Sequence, residues 1–245
     1  KYSEYFDHAG TGGAGLPSRT KRWSGHPARP VLPDLKVSSE PDRGVYDAWN
    51  KALPRISGEW ALFLGADDQL AGADFLSVCK KALENADDRA DFAITALQKT
   101  DALGRPFKRL EPDGASVYAN LLRGRMLPHT ALLHHRRVFA GKAFDTSFKI
   151  TGDYDFICRA WKRETRWLDI PEALIVMGGG GLSGNPRHIW RLRREVSEVL
   201  RRYSPAHLRT PDYFFFMFKG MVIRLLGILP GGLTALDRGK RLLGR

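Results

Sequence analysis

The 245 residues suffice for one large domain or a domain with an appendage, and 43% hydrophobic with 27% charged content is that of a globular chain. Only two cysteines are present, Cys79 and Cys158, with no CxxC spacing, which argues against a disulfide framework and a cysteine zinc site and points to a reducing compartment. The net charge of +12 is unevenly spread: residues 1–36 carry six Lys or Arg against three Asp or Glu, residues 187–245 carry thirteen against four, and the middle is neutral, so the cationic ends suit anionic lipid or nucleic acid.

Residues 1–36 hold nine Gly or Pro, no periodic apolar pattern and no apolar leader in the first 20, so they read as an irregular or disordered segment. Gly12-Gly13-Ala14-Gly15 has no preceding strand and no capped helix after it, so it does not read as a phosphate loop. Leu35-Lys36-Val37 reads as a short strand, followed by a turn at Glu40–Gly44 and a helix from Val45 to about Leu53, where Pro54 stops it.

Glu59-Trp60-Ala61-Leu62-Phe63-Leu64 is a short apolar run of the kind that makes a fully buried strand. It ends at Gly65, so Asp67 and Asp68 emerge at the strand's carboxyl end, the edge where open α/β sheets bind ligands. Two such aspartates can hold a metal and phosphate or can simply form a solvated turn. A helix at Ala73–Asn85, a strand at Phe92–Leu97, a hairpin turn at Asp101–Gly104, a helix at Ser116–Leu122 and a strand at Thr130–His134 follow.

Gly152-Asp153-Tyr154-Asp155 opens a helix to about Lys162, with Asp153 placed to favour its N-terminus. Two strands, Arg166–Ile170 and Ala173–Met177, lead into Gly178–Gly181. Strands alternating with helices predict an α/β sheet.

Between Pro186 and Tyr203, Ile189, Leu192, Val196, Val199 and Tyr203 recur at helical spacing, with Arg187, Arg191, Arg194 and Arg201 on another side. Tyr213–Leu229 is apolar except for Lys219 and Arg224, which makes it marginal as a membrane span. It reads equally as an element lying in a membrane interface or as a helix packed on the core.

Taken in order, Ser39–Lys51, Gly58–Asp68, Pro128-His129, Gly152–Asp155 and Gly178–Ser183 resemble the family 2 glycosyltransferases of the GT-A fold. The branch that builds bacterial surface polysaccharides, such as colanic acid, is the one they are most similar to, over about Leu35 to Tyr203. The resemblance implies a GT-A (Rossmann-like) mixed α/β sheet with flanking helices across residues 37–186. A basic and apolar helical appendage would follow at 187–245. It also implies a strand, a helix and a second strand ahead of Ser39 to hold the nucleoside base. In their place stand residues 1–36, so that part is expected to be missing or altered.

For function, the resemblance implies inverting transfer of a sugar from a nucleotide-sugar donor, a UDP-sugar by family habit, to a glycan or lipid-linked acceptor. Asp153 matches the family's catalytic base. Asp67 matches the last aspartate of its Asp-x-Asp motif; Gly65 stands at the first position, and Asp68 is the neighbour able to substitute. A hard divalent cation, Mg2+ or Mn2+, is the implied cofactor. Asp42, Arg43, Asp47 and Asn50 would line the donor pocket, His129 and Asp155 the acceptor side, and Ser183 a loop over the donor phosphates. The cationic tail would hold the enzyme at the inner face of the cell membrane. Nucleic acid is set aside as partner, because the basic residues flank apolar stretches and form no stacking platform. The competing reading is a catalytically inactive GT-A-like protein that binds membrane or a partner.

Overall fold

The strand Phe92–Thr100 (β3) is the axis of the molecule, and its first six residues are buried on both faces. A continuous apolar run of this kind belongs at the centre of a sheet. In chain order the other strands are Trp60–Leu62 (β1), Gln69–Leu70 (β2), Pro106–Leu110 (β4), Leu132–His135 (β5) and Trp167–Met177 (β6). They form one six-stranded mixed sheet of order β1-β5-β3-β6-β2, in which β4 pairs with the far end of β3. Only β3 and β6 run parallel; the other pairs are antiparallel. The computed structural model describes residues 37–86, 89–101, 103–179, 181 and 185–228.

Helices cover both faces, as expected of an α/β sheet. On one face lie Val45–Ala52 (α1), Gly114–Leu121 (α3), Gly152–Ala160 (α4) and Ile189–Tyr203 (α5), packed on Phe92 and Ile94. On the other, Phe75–Glu84 (α2) sets Phe75 and Cys79 against Ala93, Leu97, Ile170 and Ile175. The two-residue period of β3 divides its side chains between these two cores. The last helix, Pro211–Ile228 (α6), packs along α5.

Two strands differ from their expected form. The run Glu59–Leu64 is a strand only over Trp60–Leu62, and those residues are half-buried, not fully buried. The reason is position: β1 pairs only with β5 and forms an edge of the sheet. Arg166–Ile170 and Ala173–Met177 are one strand, β6. Pro171 lacks an N–H, and the pairing with β3 steps from Ile170 to Leu174, so a bulge absorbs the break.

The other elements match their expected places to within a few residues, with Leu53–Arg55 and His129–Ala131 as single 3-10 turns. Of the strand expected at Leu35–Val37, only Val37 is described, and it is not in a strand. The chain divides into two units between Asp42 and Arg43. α5, grouped by its charge with a C-terminal appendage, buries Val196, Val199 and Leu200 in the same core as α4.

Candidate active site

Asp153 stands in the first turn of α4, and two neighbours fix it. The Tyr46 hydroxyl on α1 donates to Asp153 Oδ1 at 3.0 Å, and the Tyr154 N–H donates to the same oxygen at 2.9 Å. The approach of α1 requires a glycine: a Cβ at Gly152 would come within 2.7 Å of the Tyr46 ring. Burial raises the Asp153 carboxyl to about 6, and the nearby Glu195 charge adds to the rise, while the two hydrogen bonds oppose it. An aspartate titrating near neutrality at a helix start is suited to accepting a proton.

The second group of carboxylates lies in the turn Gly65–Asp68, closed by the Asp68 N–H donating to the Gly65 carbonyl at 3.1 Å. Asp68 Oδ2 accepts from the Gly65 N–H at 2.8 Å and from Thr130 Oγ1 at 2.7 Å. Asp67 Oδ1 and Asp68 Oδ2 both lie 3.1 Å from where a Gly65 Cβ would stand, so the two carboxylates converge on the glycine. Asp67 also fills the space over Gly178 at the end of β6, where a Cβ would meet Asp67 Oδ2 at 2.3 Å. The pair therefore sits at the carboxyl end of β6.

Asp67 is exposed, and Asp68 keeps Oδ1 free of the hydrogen bonds that engage Oδ2. Two carboxylates, with no third His, Cys, Asp or Glu clustered beside them among the described residues, could hold a hard divalent cation such as Mg2+ or Mn2+ only with most of its oxygen ligands coming from outside these side chains. They do not fit an all-protein cage.

A run of contacts connects the two groups. Thr130, which holds Asp68, follows His129; the His129 ring stacks on Trp49 of α1 at 4.8 Å; and Trp49 meets Tyr46 edge-on at 5.5 Å. His129 itself is only 6% exposed, and its ring nitrogens have no hydrogen-bond partner. It lies among Trp49, Phe63, His134 and Phe144. Burial, and then His134, hold its imidazole well below the ordinary value. It packs between the carboxylate turn and α1.

The remaining expected residues divide. Asn50 pins the loop after β5: its amide donates to the Phe144 carbonyl and accepts the Phe144 N–H, each at 2.8 Å. Asp47 accepts the Arg43 N–H at 3.1 Å and pairs with Lys51 at 3.2 Å; these two, in that order, hold its carboxyl below its ordinary value. Arg43 reaches Asp47 at 3.5 Å with its side chain 82% exposed, so it can turn to a ligand. Asp42 is exposed and belongs to the other unit.

Asp155 is not gathered with Asp153. Two residues along a helix face opposite ways, and the buried Asp155 accepts from Arg159 at 2.9 Å, Tyr203 at 3.1 Å and Arg202 at 3.2 Å. Ser183, and with it the middle of the expected glycine loop, lies outside the described residues. Sequence reading missed Tyr46, Thr130 and Glu195. Only Tyr46 left a local signal, an apolar position on α1 paired in the fold with a Gly-Asp helix start.

No protein-family model matches the chain. Over 151 residues it is 28% identical to glycosyltransferases of Mycobacterium tuberculosis and Mycobacterium bovis named for PGL/p-HBAD biosynthesis, covering 60% of this chain and 56% of theirs. A second M. tuberculosis protein, named as an uncharacterised glycosyltransferase, is 29% identical over 190 residues, covering 73% of this chain and 70% of its own. The chain thus spans little more than half the length of the first of these relatives. Among solved structures, TarS 1-349 of S. aureus superimposes with a TM-score of 0.48 at 17% identity, over 76% of this chain and 55% of that one. The mannosyltransferase PcManGT of Pyrobaculum calidifontis, solved with GDP-Man and Mn2+, gives 0.45 at 16%, over 84% and 61%.

Proposed function

We propose that this chain is a glycosyltransferase of GT-A type that moves a sugar from a nucleotide diphosphate to an acceptor hydroxyl with inversion. The observation that carries the reading is Asp153, a carboxylate raised to about 6 and held in place by Tyr46. The names of the mycobacterial relatives support the reaction class.

In the proposed reaction Asp153 accepts the proton of the acceptor hydroxyl as that oxygen attacks the anomeric carbon. The bond between the anomeric carbon and the diphosphate oxygen breaks, and the diphosphate leaves with the electron pair. Asp67 and Asp68 would hold a divalent cation, which supplies charge stabilisation for the departing diphosphate. Arg43, with its side chain 82% exposed beside Asp47, could swing toward phosphate. UDP-sugars are the donors that the family resemblance implies, with GDP- and TDP-sugars the other choices.

The acceptor proposed is a lipid-linked or polysaccharide glycan, met at the inner surface of a membrane. The support is α6: Phe214, Phe218, Met221 and Leu225 form one exposed stripe along it, while Tyr213 and Phe216 pack inward. No described helix is long and apolar enough to cross a membrane. A helix lying in the interface plane reconciles the two observations.

Asp153→Asn is the direct test. It should abolish transfer while calorimetry with Mn2+ and UDP still detects binding at the wild-type affinity. Equal loss of transfer and of binding would contradict the assigned role.

A further inference from the structure

The backbone leading into α4 is held from outside its own sequence. Thr151, at the N-cap position, makes no side-chain cap within the helix. Instead Glu195, on α5, accepts from three successive backbone N–H groups: Lys149 at 3.1 Å, Ile150 at 2.8 Å and Thr151 at 3.0 Å. The Thr151 hydroxyl adds a fourth contact at 3.3 Å. A carboxylate gripping consecutive N–H groups is a strong, geometry-defining arrangement.

The choice of partners is informative because α5 is rich in cations. It carries five arginines and two glutamates. Glu198 pairs with Arg201 and Arg202, as a surface carboxylate on such a helix should. Glu195 is committed to the backbone that immediately precedes the base. Gly152 then sits between this grip and the Tyr46 ring, so the base is held from two sides.

We propose that Glu195 is a positioning residue, fixing the backbone from which Asp153 reaches the acceptor hydroxyl, a role that rests on Asp153 being the base. Its charge has a second effect. The polar groups around Asp153 are Tyr46 from α1 and Glu195 from α5, with the Tyr154 N–H on α4 itself; Asp155 is turned to Arg159, Arg202 and Tyr203. Burial is the main cause of the raised Asp153 carboxyl; on top of it Tyr46 favours the ionised form and Glu195 adds to the rise.

The test uses the full chain and needs no donor sugar. Carbon-detected NMR titration of the Asp153 carboxyl, assigned by difference from Asp153→Asn, is compared in wild type, Glu195→Gln and Glu195→Ala, alongside amide hydrogen exchange. Glu195→Gln keeps an acceptor and loses the charge, so the Asp153 midpoint should fall below its wild-type value while the Ile150 and Thr151 amides stay protected. Glu195→Ala should also release those amides, raising their exchange at least tenfold. Ile150 and Thr151 exchange unchanged in Glu195→Ala, or in the one-methylene-shorter Glu195→Asp if the alanine variant does not fold, overturns the positioning role, and an Asp153 midpoint unchanged in Glu195→Gln overturns the effect of its charge. Failure of the base assignment shows elsewhere, as transfer activity surviving in Asp153→Asn.

Discussion

The Tyr46 hydroxyl lies 3.0 Å from Asp153 Oδ1 across 107 residues of chain, and it joins the helix after the expected donor turn to the candidate base. Burial and the Asp153 charge push the Tyr46 hydroxyl far above its ordinary value, so it remains a donor throughout the working range. A hydrogen bond to a carboxylate favours the ionised form, and the ionised form is the one that acts as base.

Tyr46→Phe should therefore raise the Asp153 midpoint above its present value of about 6. The acid limb of the pH–rate profile then moves to higher pH. Activity near about pH 6 should drop several-fold and recover by about pH 8, because the lost hydrogen bond changes protonation and leaves the carboxylate present. A profile lowered equally at every pH would mean that Tyr46 acts on geometry alone.

Asp155 offers the matching control on the same helix. Its carboxylate is 1% exposed and its partners Arg159 and Arg202 are 29% and 39% exposed. Removing one partner of a wholly enclosed ion pair costs about 3–5 kcal/mol, but these arginines can be rehydrated, so Asp155→Asn should cost roughly 2 kcal/mol. Urea unfolding should record that loss while the Asp153 titration stays where it is. A shifted titration would place Asp155 in the site after all.

His129 and His134 make the fold acid-sensitive. Their rings lie 4.8 Å apart in an aromatic surround, and burial holds both below the ordinary value, His134 to about 3. The unfolded chain binds protons at these histidines below about pH 6.5, where the fold does not, so their contribution is full above that pH and is lost as pH falls toward about 3. At about pH 5 each should cost roughly 2 kcal/mol relative to neutrality. His134→Leu should flatten the fall in urea midpoint between about pH 7.5 and 5 by roughly half. An unchanged slope would assign the acid sensitivity to other groups.

What was legible in the sequence follows the range of the physics involved. The strand–helix alternation, the Asp67-Asp68 turn and the Gly-Asp helix start are local patterns, and each lies where periodicity and turn chemistry put it. Pro171 misled, because a missing N–H reads as a strand break although a bulge can absorb it. Asp153 and Asp155 looked equivalent as letters, yet helical phase sends them to opposite sides. Glu195 was invisible for a different reason: among the arginines of α5 it reads as an ordinary surface charge, and only the fold brings it to the backbone 44 residues away.

The last prediction concerns α6, where sequence left a core helix and an interfacial helix equally open. The inner side is packed: Arg193 of α5 lies 3.5 Å over the Phe216 ring, Ser197 meets the Tyr213 hydroxyl at 2.8 Å, and Gly220 is closed against Arg193. The outer stripe of Phe214, Phe218, Met221 and Leu225 is 45–63% exposed. Lys219 and Arg224 flank it, so its chemistry suits an anionic bilayer surface. The wild-type chain should sediment with vesicles containing phosphatidylglycerol and much less with phosphatidylcholine alone, and high salt should weaken the association. Phe214→Asp with Phe218→Asp withdraws two aromatic side chains from the lipid, which should lower partitioning about tenfold or more. The urea midpoint should change little, because both side chains are more than half exposed. Partitioning equal to wild type in the double variant would show that the stripe is not the surface that meets lipid.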